Sequence, residues 1–225
     1  MRDFPDPDLV TTNDVKIAIY RNEPRSPLKI RPLVVLVHGW PEIAYSWKSV
    51  LNALGEAGIR ALAIDVRGFG RSDAPEDPAH YSITSLTDDL VGILDALGEE
   101  TAIFCGHDWG GAQVWPLAQL HPDRVTGVVG LCTPHLPPPP VPPLGIIEKR
   151  FTERHYFVQF QKQGEAEALF ESDIEKFFRI MFRRPPARSE WEGLIPRVYD
   201  LTGRFEHGPT PDWSDVLINP DEVSV

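Results

Sequence analysis

The chain has 225 residues, of which 42% are hydrophobic, so it can bury a real core, and its length permits one or two domains. Its 33 acidic residues against 22 basic ones leave a formal charge of −11, which argues against nucleic acid or an anionic membrane surface as partner. No apolar run approaches the roughly 18 residues needed to span a bilayer. The start, Met1-Arg2-Asp3-Phe4-Pro5-Asp6-Pro7, lacks the apolar region of a signal peptide, so a cytoplasmic protein is expected.

Residues 15–133 alternate strand and helix. Apolar runs predict strands at 15–20, 33–38, 61–66, 102–106 and 127–132, with helices between them at 44–54, 82–97 and 111–120. The second helix is the clearest: Ile83, Leu86, Leu90, Ile93, Leu94 and Leu97 recur at helical spacing, and Gly98 closes it. Short, near-continuously apolar strands between helices imply an α/β protein whose mainly parallel sheet is covered on both faces. Cys105 and Cys132 fall on two of these strands and are expected to be buried as small apolar residues. The seven histidines show no metal-ligand spacing, so neither a metal nor a cofactor is expected.

The alternation stops at Thr133. Pro134, then Pro137 to Pro140, Pro142 and Pro143 form a stiff, extended segment, read as a linker in preference to a proline-recognition motif. It divides the chain into 1–133 and 134–225. Beyond it the pattern turns helical. Ser172-Asp173-Ile174-Glu175 predicts a capping box, Ile174, Phe177, Phe178, Met181 and Phe182 share one face, and Arg183-Arg184-Pro185-Pro186 ends that helix. The apolar face is either a lid over a site or ordinary packing.

Three motifs sit at the carboxyl ends of predicted strands, where parallel sheets bind their ligands. His38-Gly39-Trp40-Pro41-Glu42 follows the run Leu33-Val34-Val35-Leu36-Val37, and Asp65-Val66-Arg67-Gly68-Phe69-Gly70-Arg71-Ser72 follows the strand at 61–66. Gly106-His107-Asp108-Trp109-Gly110-Gly111 joins the strand at 102–106 to a helix. This is the strand, sharp turn and helix of a nucleophile elbow, flanked by glycines because neighbouring side chains would clash in a strained turn. Serine is the usual occupant of its apex, and here the apex is Asp108. A serine needs a base before it can attack, whereas a carboxylate is already ionised at neutral pH and can form a covalent ester directly. The backbone amides of Trp40 and Trp109 are placed to form an oxyanion hole. Asp65 and Arg67 read as structural, His38 as a buttress of its loop, and His107 as pointing away from the substrate. The Trp109 indole is either a donor to a leaving group or part of the pocket wall.

HGWPE, DVRGFGRS and GHDWGG resemble the α/β-hydrolase superfamily and, within it, the epoxide hydrolases, over essentially the whole chain from about Val15. The resemblance implies an α/β-hydrolase fold with a helical cap domain, Asp108 as nucleophile, and Trp40 and Trp109 as sources of the oxyanion-hole amides. Related haloalkane dehalogenases commonly have asparagine where this chain has Trp40. The segment Tyr156-Phe157-Val158-Gln159-Phe160-Gln161-Lys162-Gln163-Gly164 is similar to the family's cap, in which a tyrosine eight residues before that glycine protonates the opening ring. Such a donor matters because C–O cleavage leaves an alkoxide, far more basic than a halide. Tyr156 is therefore either that donor or a packed aromatic.

The resemblance implies a small epoxide as substrate and a vicinal diol as product, without a cofactor. It also implies a base histidine, a charge-relay acid and a second cap tyrosine, and no residue here matches them. Asn219-Pro220-Asp221-Glu222 reads as the start of a helix, and five core strands fall short of the family's eight. The fold is thus expected to be incomplete in this chain, with a complementary C-terminal segment supplying the rest. The alternatives are a haloalkane or haloacid dehalogenase on the same fold, or a non-catalytic α/β-hydrolase-like protein.

Overall fold

The strands β1 (Asp8–Thr12) and β2 (Val15–Arg21) open the chain as an antiparallel hairpin, turning through Asn13 and Asp14 at φ 46° and 62°. Positive φ at both central residues is what a tight two-residue hairpin requires, and Asn and Asp tolerate it. A computed structural model gives these coordinates and describes residues 4–24, 32–137, 140–151, 153–185, 187 and 199–218. The hairpin leads into β3 (Leu33–Val37), β4 (Ala61–Ile64), β5 (Ala102–His107) and β6 (Val125–Leu131). Together they form one six-stranded sheet ordered β1-β2-β4-β3-β5-β6, parallel from β4 to β6 and antiparallel at the hairpin end. The expectation of five strands is corrected by β1. Its mostly exposed pattern hides the apolar run that marked the others.

Helices α1 (Lys48–Glu56), α2 (Ile83–Leu97) and α3 (Trp109–Leu120) connect the parallel strands. A 3₁₀ turn, Ala44–Trp47, occupies the first part of the helix predicted at 44–54. The Ser82 hydroxyl caps α2 by accepting from Ser85 N–H, and Gly98 ends it in the left-handed conformation at φ 69°. Because side chains alternate across a strand, the sheet feeds two cores. Ile17, Ile19, Val35, Val37, Leu62 and Ile64 pack on one face with Leu90, Ile93 and Val114, and Ala18, Leu36, Ala61 and Ala63 pack on the other with Trp47 and Leu51. The second and third strands of this interior, β3 and β4, are almost wholly buried, which explains their unbroken apolar runs.

Cys105 lies in the buried part of β5 as expected, but Cys132 does not. The chain has left β6 by then, and Cys132 sits exposed at φ 60°. β6 is the edge strand of the described sheet, with Val129 and Leu131 both more than 40% exposed.

The chain divides into two compact units, Met1–Leu136 and Pro137–Val225. The second contains α4 (Pro143–Phe151), α5 (Tyr156–Gln159), α6 (Glu165–Glu171), α7 (Ile174–Met181) and α8 (Leu201–His207). Phe170 of α6 meets Phe177 of α7 at 4.6 Å and Phe205 of α8 at 5.5 Å, so the apolar stripe of α7 is used in packing within this unit. Phe177 and Ile180 are buried, while Ile174 stays half exposed. The cap of α7 lies one residue later than the sequence suggested. Asp173 accepts from Lys176 N–H, whereas the Ser172 hydroxyl donates back to Leu169 O at the end of α6. The helix start expected at Asn219 lies outside the described residues. No helix among the described residues is long and apolar enough to cross a membrane.

Candidate active site

Val37 of β3 pairs in register with Gly106 of β5, so the loops leaving these neighbouring strands begin at the same height. One loop carries Gly39 and Trp40, the other His107 and Asp108. Asp108 holds φ 52° and ψ −116°, a conformation costly for a residue with a Cβ and retained only where surroundings enforce it. Three contacts enforce it here. Asp108 N–H donates to Leu131 O at 3.2 Å, Ala112 N–H donates to Asp108 O at 3.0 Å, and the Thr133 hydroxyl donates to Asp108 O at 2.8 Å.

Close backbone approach explains the elbow's glycines. A Cβ on Gly110 would lie 2.1 Å from Val37 O, and one on Gly106 would lie 2.3 Å from Gly110 O. On the facing loop, a Cβ on Gly39 would meet Asp108 Cβ at 2.5 Å. With these positions bare, Trp40 N–H donates to Asp108 Oδ1 at 3.1 Å. Trp109 is the first residue of α3, where backbone N–H groups point out of the helix end without intrahelical acceptors. The structure therefore brings Asp108, Trp40 and Trp109 together at the carboxyl ends of β3 and β5. Trp109 is 49% exposed.

His38 holds the peptide that presents the Trp40 amide. Its Nε2 accepts from Val66 N–H at 3.0 Å, so the ring proton sits on Nδ1, which donates to Gly39 O at 2.7 Å. Burial pushes the His38 pKa down, which keeps this tautomer neutral. The C=O and N–H of one trans peptide point in opposite directions. Anchoring Gly39 O thus aims Trp40 N–H at the carboxylate. Asp65 is fully buried and accepts from Tyr20 OH, Ala44 N–H and Arg71 N–H, tying the strand-end loop of β4 in place. Arg67 forms a buried two-point ion pair with Asp89, at 2.8 and 2.6 Å.

A pair that the sequence did not single out lies beside the elbow. His107 Nδ1 is 2.9 Å from Glu42 Oε2, and the same oxygen accepts from Gly39 N–H at 3.2 Å. The hydrogen bond to Glu42 raises the His107 pKa against the effect of partial burial, with the Asp108 charge assisting. Burial works to raise the Glu42 pKa, but its bonds to His107 and Gly39 outweigh that and leave it lowered. His107 therefore bridges the two loops. Its signal in the sequence was the acid closing HGWPE and the histidine opening HDWGG, two residues that only the strand register brings together.

Tyr156 belongs to the second unit and is described within it. It is the first residue of α5, half buried, with its N–H donating to Tyr199 O at 2.8 Å. Its ring lies 4.5 Å from that of Phe157, 5.0 Å from that of His155 and 5.6 Å from that of Phe160. Among the described residues, no group of three His, Cys, Asp or Glu side chains is placed to hold a metal ion.

A mainly parallel sheet with a strained carboxylate at a strand-to-helix turn, faced by a backbone amide, defines a hydrolase-type α/β architecture. Residues 32–189 match the family described as alpha/beta hydrolase fold. The chain is 42% identical over 186 residues to Epoxide hydrolase A of Mycobacterium tuberculosis, covering 81% of this chain and 56% of that protein. It is 39% identical over 193 residues to the Bifunctional epoxide hydrolase 2 of Sus scrofa, covering 85% of this chain and 34% of that protein. The crystal structure of Epoxide Hydrolase A from Mycobacterium thermoresistibile superposes with a TM-score of 0.77 at 36% identity, covering 98% of this chain and 68% of that one. The chain belongs to the α/β-hydrolase fold family, in its epoxide hydrolase branch. It spans about half the length of the Mycobacterium tuberculosis relative.

Proposed function

We propose that the protein opens epoxides to vicinal diols through an ester on Asp108, without a cofactor. The observation that carries this reading is the Trp40 N–H set 3.1 Å from Asp108 Oδ1, on a backbone that holds the carboxylate at the elbow's apex. In the first step an Asp108 oxygen bonds to an epoxide carbon as the ring C–O bond breaks, and Tyr156 passes its phenolic proton to the departing alkoxide. In the second, water adds to the carbonyl carbon of the ester. Negative charge then forms on the Asp108 oxygen that the Trp40 amide faces, and the reading gives it the Trp109 amide as a second donor, each such donor being worth about 3 kcal/mol. Collapse expels the diol oxygen and restores the carboxylate; of the two protons of the water, one ends on that oxygen and the other returns to the Tyr156 phenolate. The water oxygen stays in Asp108, and the original Asp108 oxygen leaves in the diol.

The second step needs a base on the water. No histidine of the 225 residues lies in a motif resembling the family's base, so the reading assigns that role to a complementary segment. Ester formation is what this chain by itself is asked to perform. Incubated with excess styrene oxide, it should gain one adduct on the peptide carrying Asp108, and Asp108→Asn should gain none there. Labelling confined to Cys105 or Cys132, or equal labelling of the Asn variant, would refute the assignment. Halide release from a bromoalkane without any Asp108 adduct from styrene oxide would transfer the activity to the dehalogenases.

A further inference from the structure

The turn that carries Tyr156 is built around a buried histidine that the reaction above does not use. His155 is 5% exposed and occupies the N-cap of α5, where its Nδ1 accepts from Phe157 N–H at 3.2 Å. A ring nitrogen that accepts carries no proton, so this is the neutral tautomer with its hydrogen on Nε2. The ring lies near-parallel to that of Tyr199, at 4.6 Å and 16°, and to that of Tyr156, at 5.0 Å and 21°. Phe151 of α4 and Phe157 of α5 pack against it at 5.2 and 5.1 Å. His155 therefore joins the first turn of α5 to the segment before α8, which is also where Tyr156 N–H is anchored.

We propose that His155 is a positioning residue for Tyr156: as a neutral acceptor it caps the turn that carries the phenol, and gaining a proton undoes that cap. The proposal rests on the reading of Tyr156 as proton donor. Protonation turns Nδ1 into a donor facing another donor, Phe157 N–H, so the first turn of α5 loses its side-chain cap. Among the described residues, the aromatic contacts of the ring bring no carboxylate against it. From α4 it meets Phe151, over which the Arg150 guanidinium lies at 5.6 Å. From the segment before α8 it meets the Tyr199 phenol, and the neighbouring Asp200 carboxylate is engaged by Gln159 Nε2 and Gly203 N–H. Its own turn contributes the Tyr156 phenol. Burial alone lowers the pKa of His155 from its ordinary 6.5. The cap is thus intact above that value and lost as pH falls through the lowered one.

The test follows two signals in the 225-residue chain across pH: the amide resonance of Phe157, and the rate of ester formation with styrene oxide by quenched mass measurement. In the wild type both should show one inflection below pH 6.5, tracking the His155 ring. His155→Asn keeps a neutral acceptor at the cap, so its rate at pH 8 should stay within about twofold of wild type, and the inflection should vanish. His155→Leu removes the cap and should slow ester formation on the order of fivefold at every pH. A Phe157 amide that ignores the His155 titration, or an Asn variant that keeps the inflection, overturns the proposal. Wild-type ester formation by Tyr156→Phe would overturn the donor reading, and the proposal with it, while the Phe157 titration would still report the cap itself.

Discussion

Gly110→Ala places one methyl group where the elbow touches β3. Its Cβ would stand 2.1 Å from Val37 O and 2.7 Å from His38 O, both backbone atoms that cannot rotate away. To reach ordinary contact, α3 and β3 must part by about 1 Å, and overpacking of this kind costs about 1–3 kcal/mol. Alanine is the better helix former by up to about 1 kcal/mol, which offsets part of that loss. The net destabilisation is about 1–2 kcal/mol, or roughly 3–8 °C in Tm for a domain of this size. Gly127→Ala is the control. There the nearest side-chain atom is 3.6 Å away and φ is not positive, so the added methyl should be neutral or stabilise the strand by about 0.5 kcal/mol. Paired thermal melts followed by circular dichroism give the comparison. If Gly110→Ala melts no lower than Gly127→Ala, the elbow is not held by contact with β3, and the reasoning fails.

The His107–Glu42 pair should give a pH signature. The raised pKa of His107 adds stability that is full below its ordinary 6.5 and lost as pH rises through the raised value. The lowered pKa of Glu42 adds stability that is full above its ordinary 4.5 and lost as pH falls through the lowered value. The stability gap between wild type and Glu42→Gln, measured by urea unfolding, should therefore be widest between pH 4.5 and 6.5 and shrink on both sides. Arg67→Met should cost about 3–5 kcal/mol in urea by stranding the buried Asp89 carboxylate, and adding Asp89→Leu should recover most of it. A loss below about 1 kcal/mol would mean that water reaches Asp89. Tyr156→Phe should slow ester formation ten- to a hundredfold if a second donor remains, with little change in substrate binding. Equal losses in both would make Tyr156 a packing residue.

The parallel strands and their helices were legible because double-sided burial writes unbroken apolar runs, as in Leu33–Val37, and because Ser82 and Gly98 punctuate α2. The elbow was legible for a related reason, since the close approach of Gly106 to Gly110 O and of Gly110 to Val37 O demands glycine on both sides of Asp108. β1 was not, because its one buried residue, Thr12, is polar. The Glu42–His107 bridge escaped because strand pairing joins residues 65 positions apart. Cys132 was misplaced because apolar character persists one residue beyond the last ladder bond, and a strand ends by geometry rather than by composition.

The strand register has a consequence for how this protein can be altered. Val37 beside Gly106 sets the two loops as a jig sets two parts, and what they present to Asp108 is main chain. Under the proposed chemistry, rate is then written in the hydrogen-bond ladder, while the side chains of Trp40 and Trp109 bear on selectivity. Replacing Trp109, a half-exposed residue, should reshuffle which epoxides are preferred before it slows the best of them. Even a conservative change that displaces β3 along β5 should do the reverse, weakening every substrate alike.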